Sequence, residues 1–549
     1  MSSPASIHAM FLKQFSIRCP LLLCTVLLAT RLWGADWPRW GGRDDCNMVS
    51  QEKGLAESFL PGKKSPQGSG IDMTTTQNVK WVARLGTQTY GNPTIANGRV
   101  YLGTNDGSLQ DPRICPRRGG LVMCLDEATG KLLWQLIVPR FQTNLPEFNF
   151  DDMGLGVCSS PTVDGDRVYL VTNRCEVVCL DVHGLTNGNH GPFTDESCFI
   201  AGPGCRPVAL QPTDADIVWK LDVIHDLDVW CQDAANCSVL VHGDFVYACT
   251  SNGVDHSHIR VPRPLAPSLI AVDKKTGRLA AGDDERIGTR LFHGQWSSPS
   301  LGVVNGKPQI FFGGGDGVLY AFEALTSMPK TPAKLKKVWS YDCNPPEYKV
   351  VNGRKVVYMT GDVRKHRGNN NDGMFIGPSE IIGTPVFYKN RVYVATGQDP
   401  SHGRGVGMLS CIDATKTGDV TGTAKIWSYP IGRSISSASI VDGLLYIADT
   451  FEGLYCFDAE TGEKYWFYPT GSEVWGSTMV ADGRIYLGTK KSLLVLAAGK
   501  ARAPCTHGRL LANIHLGTPA YCTPVVANGV LYVASQHYLW AVQAMSRRP

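Results

Sequence analysis

The sequence predicts an all-β chain folded as an eight-bladed β-propeller of four-stranded antiparallel blades, closed by an N-terminal strand. Three observations carry this prediction. A phrase that runs apolar, acidic, Thr-Gly, tryptophan recurs at CLDEATGKLLW (124–134), AVDKKTGR (271–278), CIDATKTGDVTGTAKIW (411–427) and CFDAETGEKYWFYPTG (456–471). A hairpin-like pattern recurs eight times upstream of or between these phrases. Finally, a lone tryptophan run, NVKWVARLG (78–86), precedes the first full copy, while the last copy ends at LWAVQAMSRRP without one.

The eight hairpins begin NPTIANGRVYLGT (92–104), SPTVDGDRVYLVT (160–172) and CSVLVHGDFVYACT (237–250). They continue SPSLGVVNGKPQIFFGG (298–314), TPVFYKNRVYVATG (384–397) and SASIVDGLLYIAD (437–449), and end STMVADGRIYLGT (477–489) and TPVVANGVLYVAS (523–535). Each is an apolar run, an Asn/Asp/Gly turn and an alternating β-branched and aromatic run, which reads as two antiparallel strands. The Cys/Ala-x-Asp run is a third strand, Thr-Gly a turn and the tryptophan run a fourth. Such repeats stack as propeller blades of ~40 residues. Blades 6 to 8 are lean and blades 1 to 5 carry insertions. The orphan run at 78–86 is expected to complete blade 8, because an open ring would expose sheet edges.

Two recurrent residue types are assigned to the scaffold. Trp81, Trp134, Trp219, Trp339, Trp427 and Trp466 are expected to pack between blades. Asp126, Asp181, Asp273, Asp413 and Asp458 are expected to bond local turn backbone. Cys124, Cys179, Cys411 and Cys456 share a slot with Ala271 and Ala321, so they read as small core residues. Disulfides are expected instead in loops: Cys198 with Cys205, Cys231 with Cys237, with Cys115 a further candidate. No C-x-x-C-H occurs, so no attached haem is expected.

The first 35 residues read as a secretory signal: Lys13 and Arg18, an apolar run at 19–30, then small residues near Gly34 and Ala35. The expected organisation is signal 1–35, N-terminal extension 36–77 and propeller 78–549. That places the protein outside the cytoplasm, periplasmic or secreted, with no membrane span after signal removal. The full chain has 53 Lys and Arg against 49 Asp and Glu. Losing Lys13, Arg18 and Arg31 leaves 50 against 49, a balance that offers no footprint for nucleic acid. The one dense basic cluster, VRKHR (363–367), reads as a solvated loop.

The phrase A/C-x-D-x-x-T-G-x-x-x-W resembles the tryptophan-docking motif of pyrroloquinoline-quinone (PQQ) repeat propellers. DWPRWGG, HGQWSSPS, GGGDGVLYAF and GQDPSHGRGVG are similar to stretches of secreted PQQ-repeat proteins of planctomycete type. The superfamily includes quinoprotein alcohol dehydrogenases and the non-enzymatic propeller of the outer-membrane barrel-assembly machinery. The resemblance specifies the fold and leaves the chemistry to the site.

Most insertions (105–120, 137–157, 223–236, 252–267, 280–296, 342–382 and 397–407) fall on the face where second-to-third and blade-to-blade loops open. One, 183–216, falls on the opposite face. A site is therefore expected on the first rim, at the channel mouth. The polar candidates there are Asn236, Asn252, Asp255, His256, His258, Trp296, Glu380, Asp399, His402, Arg433, Glu473 and Trp475. The resemblance to quinoprotein dehydrogenases implies PQQ with Ca²⁺. Ca²⁺ would take oxygens of Asn236, Asn252, Asp255 and Asp399, and Arg433 would pair with a quinone carboxylate. Trp296 or Trp475 would stack on the quinone, and Asp399 is the candidate base. Against catalysis, the chain has no Cys-Cys pair and no haem domain. Two functions follow: a binding or scaffolding propeller for a protein, glycan or small molecule, or a PQQ-dependent dehydrogenase of alcohols or sugars.

Overall fold

The computed structural model describes residues 34–544, apart from 67, 69, 110, 115–117, 365–376 and 501–506. Residues 1–33 of the expected signal (1–35), Cys115 and most of the basic cluster at 363–367 lie outside the described residues. Eight four-stranded antiparallel sheets follow one another along the chain. Blade 1 is Thr94–Ala96, Arg99–Asn105, Gly120–Asp126 and Leu132–Val138. Blade 8 is Val525–Ala527, Val530–Ala534 and Tyr538–Val542, and its outer strand is Val79–Arg84, paired antiparallel with Tyr538–Val542. Blades 3 and 4 each add a two-residue parallel strand at the outer edge. No described helix is long and apolar enough to cross a membrane.

The register explains the recurrent phrase. In blade 1, Tyr101 lies across from Cys124, and Cys124 across from Trp134. The same row is Tyr169–Cys179–Trp219 in blade 2, Phe311–Ala321–Trp339 in blade 4 and Tyr446–Cys456–Trp466 in blade 6. Two large rings in one row leave space for only a small residue between them, hence Cys or Ala. These cysteines are buried thiols.

Each tryptophan then reaches the next blade. Trp134 Nε1 donates to the Val182 carbonyl of blade 2 at 2.8 Å, and Trp466 Nε1 to the Gly499 carbonyl of blade 7 at 2.8 Å. Trp81 of blade 8 does the same to Glu127 of blade 1 at 3.0 Å, across the junction of the chain's two ends. The acid of the phrase holds the turn: Asp126 Oδ1 accepts from the Thr129 amide and hydroxyl. Gly130 follows at φ +70°, where a Cβ would lie 2.6 Å from the Trp81 ring. Glycine therefore both makes the turn and clears the seat for the neighbour's indole.

The segment ahead of the repeats contains a girdle. Residues 36–48 touch the first strand or first turn of every blade in ring order. Asn528 of blade 8 donates to Asp36, and Trp37 exchanges two backbone bonds with Ile95 of blade 1. Pro38 accepts from Val163, and Arg39 donates to the Val241 carbonyl. The Asp44 and Asp45 carbonyls accept from Leu301 and Phe387. Asn47 exchanges two bonds with Ile440, both 2.8 Å, and Met48 accepts from Val480. These strands lie around the channel, so the segment runs around it on the face opposite the insertions.

A second ring closes the propeller from inside. The backbone N–H of Asn92 donates to Ser160 Oγ, Ser160 to Ser238 Oγ and Ser238 to Ser298 Oγ. Thr384 donates to Ser437 Oγ, Ser437 to Ser477 Oγ, Ser477 to Thr523 Oγ1 and Thr523 back to Asn92 Oδ1. At the remaining step Thr384 Oγ1 accepts from Trp40 Nε1 of the girdle at 2.8 Å.

Two expectations are corrected. No disulfide joins Cys198 to Cys205 or Cys231 to Cys237. Cys231 Sγ lies 3.2 Å from the Thr250 carbonyl, whereas Cys237 Sγ accepts from the Cys249 amide, so the two thiols serve different neighbours.

Candidate functional site

A funnel of about 320 Å³ lies in the channel, with Trp40 of the girdle in its lining. Trp40 and Thr384 lie at its base, and residues of the hydroxyl ring (Asn92, Ser238, Ser298, Ser437, Ser477, Thr523) line its wall. The mouth lies among the inserted loops. Tyr90, Trp475 and Tyr521 form one side: Tyr90 stacks on Tyr521 with centroids 5.8 Å apart, and Trp475 sits 4.7 Å from Tyr521. Asp233, Asn236, Trp296 and Asp399 form the other side. Among the described lining residues there are two carboxylates and no Lys or Arg.

The structure thus brings together Asn236, Trp296, Asp399 and Trp475 of the sequence candidates. Asn236 Oδ1 is buried without a hydrogen-bond partner, and Trp296 Nε1 donates to the Ala234 carbonyl at 3.1 Å. Asp399 Oδ1 accepts from the Ser401 amide and caps the short turn Pro400–His402. Three candidates serve the loops instead. Arg433 is buried and donates to the carbonyls of His402 and Gly403 and to the Tyr348 hydroxyl. Asn252 accepts from the Trp230 amide and donates to the Arg263 carbonyl. Asp255 Oδ1 accepts from Ser257 Oγ at 2.6 Å. Glu473 is ion-paired with Lys490 at 2.8 Å, and His256 is exposed.

Behind Trp296 lies a buried acid–imidazole network. His258 Nε2 and His293 Nε2 are 3.1 Å apart, and Gln232 Nε2 is 3.4 and 3.3 Å from them. Asp233 Oδ2 is 3.7 Å from His293 Nε2, Glu380 Oε1 is 3.8 Å from His293 Nδ1, and His402 packs 4.9 Å from His293. Burial pushes Glu380 up to about 8, with the Asp399 charge adding to it. Burial, then Asp399, raises Asp233 to about 6. Burial holds His293 well below the usual imidazole range, helped by His402, His258 and Arg364, and lowers His402 to about 4. At neutral pH Glu380 and His293 are therefore a neutral contact, not an ion pair. The groups of this wall that face the cavity and could take a cation are Asp233 and Asp399.

Sequence reasoning missed Asp233, Tyr90, Tyr521 and Trp40. The available signals were DWPRWGG ahead of the repeats and the acid in CQDAANC. Neither spacing nor periodicity aims those side chains into the channel.

The family model described as outer membrane protein assembly factor BamB matches residues 114–360, 182–468 and 406–503. The chain belongs to this PQQ-repeat, BamB-like family. Among solved structures, it is similar to quinohemoprotein alcohol dehydrogenase from Comamonas testosteroni, with TM-score 0.55 and 12% identity over 94% of this chain and 82% of that one. Quinohemoprotein alcohol dehydrogenase ADHIIG from Pseudomonas putida HK5 gives TM-score 0.53 and 12% identity at the same coverage. BamB from Moraxella catarrhalis gives TM-score 0.49 and 12% identity over 86% and 98% of the two chains. At these identities the likeness is one of fold. No curated protein sequence matches the chain.

Proposed function

We propose that this BamB-like propeller is an extracytoplasmic binding module whose funnel mouth receives an ammonium-bearing group, carried by a protein side chain, an amino sugar or a small molecule. The observation that carries the reading is the charge of the lining: Asp233 and Asp399 beside Trp296 and Trp475, with no described cationic side chain. A cation gains from both carboxylates and aromatic faces. The same lining argues against PQQ, whose carboxylates would face Asp233 and Asp399 with Arg433 committed to loop carbonyls. The N-terminal signal pattern and the outer-membrane assembly family support the location.

The test is a calorimetric titration of residues 34–549 with chito-oligosaccharide amines, a lysine-rich peptide, and PQQ with Ca²⁺. Binding of one of the two amine ligands, lost in Asp399→Asn and weakened by salt, is expected. Tight one-to-one PQQ binding, or amine binding indifferent to Asp399→Asn, would overturn the proposal.

A further inference from the structure

The insertion on the opposite face, between the third and fourth strands of blade 2 (Glu176–Asp181 and Ile217–Asp222), is left unused by the funnel. Its two ends are pinned together, with the Asp181 amide donating to the Asp216 carbonyl at 3.0 Å. Asp181, Asp216 and Glu196 are all buried at this base. A carboxylate oxygen of Asp181, one of Asp216 and a ring nitrogen of His190 lie within 4.8 Å of one another.

The partners of these acids are unevenly distributed. Asp181 Oδ2 is paired with Arg167 at 2.6 Å, and its Oδ1 accepts from the His183 amide. Glu196 accepts from Asn189 Nδ2 and the Ile217 amide. Asp216 Oδ2 accepts from the His190 amide at 2.9 Å and lies 3.5 Å from His190 Nδ1. Asp216 Oδ1, on a fully buried residue, has no hydrogen-bond partner. Arg167 is the one Lys or Arg ion-paired with any of the three among the described residues. Buried carboxylates are normally paired, protonated or bound to a metal.

We propose that Asp181, His190 and Asp216 form a zinc(II) site that fastens the blade 2 insertion to its sheet. Two carboxylate oxygens and one imidazole nitrogen are a zinc donor set, with water completing the tetrahedron. Ca²⁺ would ask for six to eight oxygens and has no use for the imidazole. His190 is half-exposed, which leaves a path for the ion. The site is independent of the funnel reading, because it lies on the other face and shares no residue with it.

The test uses the chelator-treated protein spanning residues 34–549, titrated with ZnCl₂ and, separately, CaCl₂, by calorimetry and thermal melting. One equivalent of Zn²⁺ should bind with a Kd below about 10 μM and raise the melting temperature. Asp216→Asn should abolish this site's heat. His190→Ala, a change at a half-exposed loop residue, should weaken binding at least about tenfold while the metal-free protein still unfolds in one cooperative transition. Zn²⁺ binding that survives both substitutions, no binding in that range, or Ca²⁺ binding that replaces it would each overturn the assignment.

Discussion

Glu380→Gln tests the electrostatics of the funnel wall. Glu380 is buried, with the Gly294 amide 3.4 Å from Oε1 and the Asp399 amide 3.2 Å from Oε2. Its carboxyl is raised from 4.5 to about 8, by burial first and by Asp399 second. The folded state therefore holds a proton that the unfolded chain releases above 4.5. The stability this contributes is complete below 4.5 and is lost as the pH rises through 8. At about 1.36 kcal/mol per pH unit, the wild type should lose roughly 3 kcal/mol between pH 5 and pH 8 through this group alone. Glutamine imitates the protonated acid and cannot ionise. Urea unfolding followed by tryptophan fluorescence at pH 5, 6.5 and 8 gives the comparison. The two proteins should be within about 1 kcal/mol at pH 5, and the variant should decline less steeply toward pH 8. Parallel profiles would refute the reasoning, since Glu380 would then titrate alike in both states.

Three further outcomes follow from the same geometry. His402 is lowered to about 4, so the unfolded chain takes up its proton first, and stability should fall as the pH drops from 6.5 toward 4. His402→Gln should flatten that acid limb in the same urea series, and an unaltered limb would count against it. Trp466→Ala removes a buried indole and its bond to the Gly499 carbonyl, and should cost about 3–5 kcal/mol in denaturant unfolding. A loss below about 1 kcal/mol would show that the interblade seat is not a stability element. Asn47→Ala strips both girdle bonds to Ile440 in a buried setting and should cost about 1–3 kcal/mol. Hydrogen exchange should then speed up at the Ile440 amide but not at Tyr169 in blade 2, whereas no change at Ile440 would place the girdle outside the cooperative unit.

The sequence by itself determined the repeat, the blade count and the scaffold role of the tryptophans. Those features are local: period-two strands, Asp and Gly turns and a tryptophan at a constant offset are imposed by backbone chemistry at every copy. It also carried Asn236, Trp296, Asp399 and Trp475 to the funnel mouth, because loop placement follows from strand order. Only the tertiary structure decided what those side chains face. Arg433 and Asn252 sit in loops of the same rim, yet their polar groups are taken by carbonyls and an amide from segments remote in sequence or from neighbouring turns. Asp233 became an acid of the funnel only when its loop folded beside Asp399, some 166 positions later in the chain. Trp40 became its floor through a bond to Thr384, 344 residues away. The orphan run at 78–86 announces that the ring closes, but which loop side chains then meet across such separations depends on the packing of eight blades about one channel, which no spacing along the chain encodes.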